Sequence, residues 1–398
     1  MKTYISKKAL SVSPSPTLSL DAKFKQMKKQ GIPVVGFGAG EPDFDTPDNV
    51  KAAGIKAIEN GITKYTPASG TVELKEAICA KIKRDSGLDY DISNIVVSNG
   101  GKHCLTNIFM AICEPGDEVI IPSPFWVSYP EMVKMADGVP VFLETTEETN
   151  FKFSPEDLEK CITEKTRALV LNTPSNPTGM VYSGEEIKKI AEIAVKNNIY
   201  VIFDEIYEKL VYEGEHVNIA TFGEEIKDLT IIVNGMAKAY AMTGWRIGFT
   251  ASNADVAKAM SNIQSHATSN PNSIAQAASV EALNGNQTSV AEMKKEYIAR
   301  RDYMVERINS IDGISCKKPN GAFYIFMNVK ELLGKELYGK TFDSASALCA
   351  DILDRALVAL VPSEGFGIDG YVRLSYATSM ETIKEGLDRI EKYIKGEY

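Results

Sequence analysis

The chain has 398 residues, 44% hydrophobic and 24% charged, and carries a formal net charge of −9. That length suits two domains around a large core, and the acidic balance excludes sequence-independent nucleic-acid binding, which needs a basic footprint. No run of about eighteen apolar residues offers a membrane span, and the lysines near the N-terminus precede no apolar core of the kind a secretory signal needs.

Taken in order, residues 1–17 read as a polar arm with Pro14 and Pro16, ordered only where it docks. A helix over 18–30 stops at Gly31, and a strand over 33–37 leads into Gly38–Ala39–Gly40. Thr46–Pro47 reads as a cap and first-turn proline for a helix that Gly61 ends. From about residue 70 helices and strands alternate. Helices are expected at 71–85, 101–113, 126–136 and 154–162, and one more opens at Ser183 with Glu186 as a capping box. Strands are expected at 94–98, 118–121, 139–143, 167–171, 199–203, 229–233 and 247–251. This alternation indicates a largely parallel α/β sheet. After a long helical stretch over 286–310, strands at 314–317, 322–328, 357–361 and 371–375 with helices at 342–355 and 379–395 suggest a smaller α+β domain.

The six cysteines are scattered without a CxxC pair, which favours reduced thiols in a cytoplasmic protein. His103, His216 and His266 are too separated to suggest a metal site, and none is expected.

The chemistry centres on Leu229–Phe249, LTIIVNGMAKAYAMTGWRIGF. An apolar β-branched run breaks at Asn234–Gly235, and Lys238 follows amid small and apolar residues. A poorly solvated lysine loses its proton readily and becomes a usable amine nucleophile, although an isolated loop lysine more often snorkels to solvent. Arg246 could hold a phosphate bidentately or serve as an ion-pair partner. Asp204 ends an apolar run, at the ligand-binding edge of an α/β sheet. A magnesium-binding acid of a nucleoside triphosphatase would fit equally, but the chain has no GxxxxGK[ST] loop. Gly100–Gly101–Lys102 lies between a strand and a helix, where free N–H groups meet anions. Read alone, such a pair of glycines is an ordinary turn. Arg373 sits inside an apolar strand and needs a partner if buried.

Seven further segments occur in one order: AGEPDFDTP (39–47), TKYTPASG (63–70), SNGGKH (98–103), PSPFWVSYPEM (122–132), NTPSNPTG (172–179), FDEIYEKLVYEGE (203–215) and VRLSYATS (372–379). Together with the Lys238 stretch they resemble the fold-type-I, class I/II aminotransferases that use pyridoxal 5′-phosphate, closest to the bacterial aspartate aminotransferase branch. The resemblance implies an aspartate-aminotransferase-like α/β fold: a large domain over 48–290 with a mostly parallel seven-stranded sheet, and a smaller α+β domain formed by 1–47 and 291–398.

It also implies roles. Lys238 would hold the cofactor as a Schiff base and then move a proton as general base and acid. Asp204 would pair with the ring nitrogen, and Asn176 and Tyr207 would bond the phenolic oxygen. Gly101, Lys102 and Arg246 would hold the phosphate, joined by Tyr65 from a neighbouring subunit. Trp126 would lie flat on the ring. Arg373 and the Gly40 backbone would hold the substrate α-carboxylate, with Trp126, Asn176, Ser15 and Thr17 near the substrate. A homodimer with shared active sites follows, in which Thr268–Ser269–Asn270 would also serve the partner. The implied reaction is ping-pong transamination of an L-amino acid, L-aspartate first, with 2-oxoglutarate. A distal carboxylate would need a second cation, for which Lys7 and Lys8 are candidates. Aromatic, alanine or methionine substrates, a β-lyase and a non-catalytic amino-acid sensor remain alternatives.

Overall fold

The computed structural model describes residues 4–14 and 16–398. Seven strands form the central sheet, in the spatial order Ile95–Ser98, Gly248–Ala251, Thr230–Gly235, Tyr200–Asp204, Thr166–Asn172, Glu118–Ser123, Val139–Glu144. Gly248–Ala251 runs antiparallel to both neighbours, and the remaining pairs are parallel. Every residue of Ile95–Ser98, Thr230–Gly235 and Gly248–Ala251 is buried, as expected where helices cover both sheet faces. Among the described residues, no helix is long and apolar enough to cross a membrane.

A second sheet is antiparallel, in the order Val361–Pro362, Tyr371–Ser375, Tyr324–Asn328, Ser315–Cys316. Beside it Val35–Gly36 pairs in parallel with Val358–Ala359, so the early strand completes the C-terminal layer. One apolar cluster joins Val35 and Phe37 to Tyr297, Phe323, Tyr324, Val358 and Tyr393, and it includes Tyr207 from the loop after Tyr200–Asp204. That cluster seats the second sheet against the carboxyl edge of the first.

Local signals account for most boundaries. The expected capping box is present: the Ser183 N–H donates to Glu186 Oε2 at 2.7 Å, and the Glu186 N–H donates to Ser183 Oγ at 3.3 Å. Thr46 behaves differently from its expected capping role. The helix is Asp48–Glu59 with Pro47 at the N-cap and no side-chain cap bond. The Thr46 hydroxyl instead donates to the Ala241 carbonyl at 2.7 Å and accepts from Trp245 Nε1 at 3.1 Å. Two tertiary hydrogen bonds have replaced a local one.

The arm contains a short helix, Lys7–Ser11. It docks through Lys8 Nζ to Asp137 at 2.7 Å and through the Ser13 N–H to Glu131 at 2.8 Å. Helices Ala254–Ala267 and Ser273–Asn284 fill a stretch for which the sequence suggested no element. The second is alanine-rich, with Ala275, Ala278 and Ala282 all buried, so it lacks the polar outer face that makes a helix legible.

Candidate active site

The parallel strands end at one edge, and their last residues carry the polar groups. Asn172 and Asp204 are register partners, and Asp204 faces Val233 on the strand that leads to Lys238. A ligand site at the carboxyl edge is the general expectation for such a sheet.

Asp204 is fully buried, and burial raises its carboxyl to about 6 despite two hydrogen bonds that favour the anion. Tyr129 Oη donates to Oδ2 at 2.6 Å, and the Ile206 N–H donates to Oδ1 at 3.2 Å. Tyr129 stands in the first turn of helix Ser128–Met135. Its ring meets Trp126 edge-on, with centroids 5.3 Å apart at 84°. A cationic or N–H partner for this carboxylate would offset the burial cost.

Lys238 lies in the turn after Thr230–Gly235. Its ammonium donates to the Gly40 carbonyl and stands 5.8 Å from the centroid of the Tyr207 ring and 5.6 Å from that of Phe323. Burial lowers its pKa to about 8, Arg373 and Arg246 push the same way, and Glu41 and Asp204 oppose them. A lysine near 8 supplies a substantial free-amine fraction at neutral pH.

Arg373 is 3% exposed. Its Nη1 donates to Asn176 Oδ1 at 3.0 Å and its Nη2 to the Gly38 carbonyl at 3.1 Å. Its Nε is buried with no partner among the described residues. The guanidinium also stacks over Tyr324, 4.5 Å from the ring centroid, and lies 5.2 Å from that of Phe366. No carboxylate among the described residues forms an ion pair with it, so the buried cation calls for an anion. The Asn176 backbone is itself fixed, its N–H donating to Asn172 Oδ1 at 2.8 Å.

A third group sits at the start of helix Gly101–Ile112. Gly100 caps it at φ +85°, and a Cβ there would lie 2.4 Å from Arg246 Nη2, so the guanidinium occupies the space a side chain would fill. Arg246 donates to the Thr243 carbonyl at 2.9 Å and to the Asn99 carbonyl at 3.3 Å. The N–H groups of Gly101 and Lys102 head the helix, where the first donors have no intrahelical acceptor. Together they form an anion cradle. The Lys102 ammonium turns over Trp126, 5.1 Å from the ring centroid, and burial followed by the Arg246 charge lowers its pKa.

The structure thus brings Lys238, Gly40, Asp204, Tyr207, Asn176, Arg373, Trp126, Gly101, Lys102 and Arg246 to one edge. Tyr65 stays apart, 91% exposed, and Thr268 and Ser269 are exposed as well. Ser15 and the Thr17 side chain lie outside the described residues. Sequence reasoning missed Tyr129 and Tyr324. Both stand in segments that were read, but only the fold shows that Tyr129 reaches Asp204 and that Tyr324 Oη lies 3.0 Å from Tyr207 Oη.

A second polar cluster was also unread. Glu205, Glu208 and His216 gather ligand atoms within 4.8 Å of one another. Lys81 already supplies a buried cation there, paired with Glu208 and with Asp85 at 3.2 Å.

Comparison with known proteins agrees with this geometry. Residues 32–390 match the family model described as aminotransferase class I and II. The chain is 48% identical over 396 residues to the aspartate aminotransferase of Bacillus sp. strain YM-2, covering 99% of this chain and 100% of that protein. It superposes on the aspartate aminotransferase of Rhizobium meliloti with a TM-score of 0.95 at 43% identity, covering 99% of each chain. It superposes on the Thermus thermophilus aspartate aminotransferase with maleate at a TM-score of 0.93 and 41% identity, covering 99% of this chain and 100% of that one. On the site, the fold and these relatives together, the chain belongs to the class I and II aminotransferases.

Proposed function

We propose that the chain is a pyridoxal-phosphate-dependent aspartate aminotransferase that exchanges the amino group of L-aspartate with 2-oxoglutarate in two half-reactions. The observation that carries this reading is the Lys238 ammonium, bonded to the Gly40 carbonyl at the sheet edge that also presents the buried Asp204 carboxyl and the buried Arg373 guanidinium. The residues present fit the cofactor. The anion cradle of Gly101, Lys102 and Arg246 suits a phosphate, Asp204 suits a protonated ring nitrogen, and Asn176 and Tyr207 suit a phenolic oxygen.

Bound there, pyridoxal phosphate supplies a carbonyl for amine exchange and a cationic ring that draws electrons from the substrate Cα. Lys238 Nζ would hold the cofactor and would serve as the base and acid that move the substrate Cα proton. Asp204 would supply the counter-charge for a protonated ring nitrogen. Trp126 would cover the cofactor and restrict water, and Arg373 with the Gly40 backbone would orient the substrate α-carboxylate.

Dicarboxylate preference rests on Lys102. Lys8 pairs with Asp137 at 2.7 Å. The Lys102 ammonium instead overhangs Trp126, where a distal carboxylate can meet a second cation. The Thermus thermophilus relative was solved with maleate, a dicarboxylate, which supports the same reading.

A homodimer with shared sites belongs to this proposal. Ile55, Ile58 and Ile62 are 58%, 57% and 42% exposed and lie close in sequence to the exposed Tyr65, an apolar strip suited to a second copy. The division into 48–290 and 1–47 with 291–398 is proposed on the Val35–Gly36 pairing with Val358–Ala359. Cytoplasmic placement is proposed on the six free cysteines. Steady-state oxaloacetate production from L-aspartate and 2-oxoglutarate tests the function, with Lys238→Ala as control. Turnover in that variant near the parent rate would refute the assignment.

A further inference from the structure

Resting on that reading, we propose that Tyr324 is a positioning residue: its hydroxyl donates to Tyr207, fixes the direction in which Tyr207 donates, and so sets the proton affinity of the Lys238–cofactor conjugate.

Tyr324 opens the strand Tyr324–Asn328 of the antiparallel sheet. Tyr207 follows Tyr200–Asp204 of the large sheet. Their hydroxyls meet at 3.0 Å, with ring centroids 5.9 Å apart at 81°. The bond therefore ties the two sheets together at the site. Both residues are buried, Tyr324 to 1% exposure and Tyr207 to 3%, so water does not compete readily for either hydroxyl. Phe323 packs edge-on against Tyr207 at 5.4 Å and 86°, which leaves that ring little freedom to swing.

The proton count gives the direction. A tyrosine hydroxyl carries one proton. If Tyr207 spends its proton on the cofactor's phenolic oxygen, the proton between the two hydroxyls belongs to Tyr324. Donation from Tyr324 then polarises the Tyr207 O–H and makes it a stronger donor. Burial raises the pKa of Tyr324 and so keeps its proton on the hydroxyl, and the charge of Arg373, stacked on the ring at 4.5 Å, opposes part of that rise. A hydrogen bond to the phenolic oxygen competes with the bond that oxygen makes to a protonated imine nitrogen. Stronger donation by Tyr207 therefore favours the unprotonated conjugate and lowers its pKa.

The test is a spectroscopic pH titration of the cofactor-loaded protein, with no substrate present. Tyr324→Phe keeps the ring that backs Arg373 and removes only the hydroxyl. The expected result is an upward shift of the visible-band midpoint by about half a unit to one unit, a change of about three- to tenfold in the proton equilibrium. In a Tyr207→Phe background the same substitution should add nothing, because its effect runs through Tyr207. Binding of succinate, read as a spectral shift, should be unchanged in Tyr324→Phe. In Tyr324→Leu, which removes the stacked ring, it should weaken by about tenfold.

An unchanged midpoint in Tyr324→Phe overturns the proposal, and so does an undiminished shift in the Tyr207→Phe background. Loss of the visible band in the parent protein would instead overturn the cofactor reading, so the two failures are distinguishable.

Discussion

Arg373 and Asn176 are joined by a 3.0 Å hydrogen bond from Nη1 to Oδ1, which links the residue suited to a substrate carboxylate to one suited to the cofactor's phenolic oxygen. The guanidinium has a second bond to Gly38, and its Nε has no partner among the described residues. An ammonium cannot reproduce that fork. Arg373→Lys should therefore raise the KM for L-aspartate by about 10- to 100-fold while leaving cofactor retention near the parent level. Steady-state kinetics with saturating cofactor would read this. An unchanged KM would remove Arg373 from the carboxylate site.

Asp204 gives a stability prediction whose sign depends on pH. Burial raises its carboxyl to about 6, above the value near 4 of an unfolded aspartate. The folded chain without cofactor holds that proton more tightly than the unfolded chain does. The resulting stabilisation is fully present below about pH 4 and is lost as pH rises through about 6. At neutral pH the ionised carboxylate thus costs up to about 3 kcal/mol. Asp204→Asn should make the cofactor-free protein more stable than the parent at pH 7, with the difference vanishing near pH 4. Turnover of the loaded variant should fall by at least about 10²-fold, since the ring-nitrogen proton loses its counter-charge. Denaturant titrations at the two pH values check the first part; equal stabilities at pH 7 would contradict it.

Gly100 tests the anion cradle. A methyl group there would sit 2.4 Å from Arg246 Nη2, at a backbone φ of +85°. Gly100→Ala should displace the guanidinium and weaken cofactor binding by about tenfold or more, beyond the backbone strain of about 1–2 kcal/mol. Gly116→Ala is the control, because Gly116 has φ +93° but open space around it. Equal cofactor dissociation constants for the two variants would show that strain alone is responsible.

Lys102 separates substrate recognition from phosphate binding. If its ammonium meets a distal carboxylate, Lys102→Gln should raise the KM for L-aspartate by about tenfold and leave that for L-alanine unchanged. If the ammonium serves the phosphate, cofactor affinity should fall and both substrates should suffer alike. The ratio of kcat/KM values for the two amino acids decides between them.

The residues proposed to bear chemistry stand out in the sequence because each sits in a short, unusual local context. Lys238 follows a buried β-branched run, Asp204 ends an apolar strand, and Arg373 interrupts a buried strand. The partners that set their properties were not legible. Tyr129 and Tyr324 look like ordinary core aromatics, and their hydroxyl contacts span 75 and 117 residues of chain. Helix Ser273–Asn284 hid for a different reason, being buried on several faces and so lacking amphipathic period. Thr46 looked like a helix cap because local rules favour it, but Trp245 and Ala241 claim its hydroxyl.

The most direct test of the central claim is the visible absorption of the cofactor-loaded protein as L-aspartate is added without any oxo acid. The band should bleach and 2-oxoglutarate should restore it, with neither change in Lys238→Ala. A band that forms but ignores L-aspartate would contradict the substrate assignment. Absence of any band in the parent protein would contradict the role of Lys238 itself.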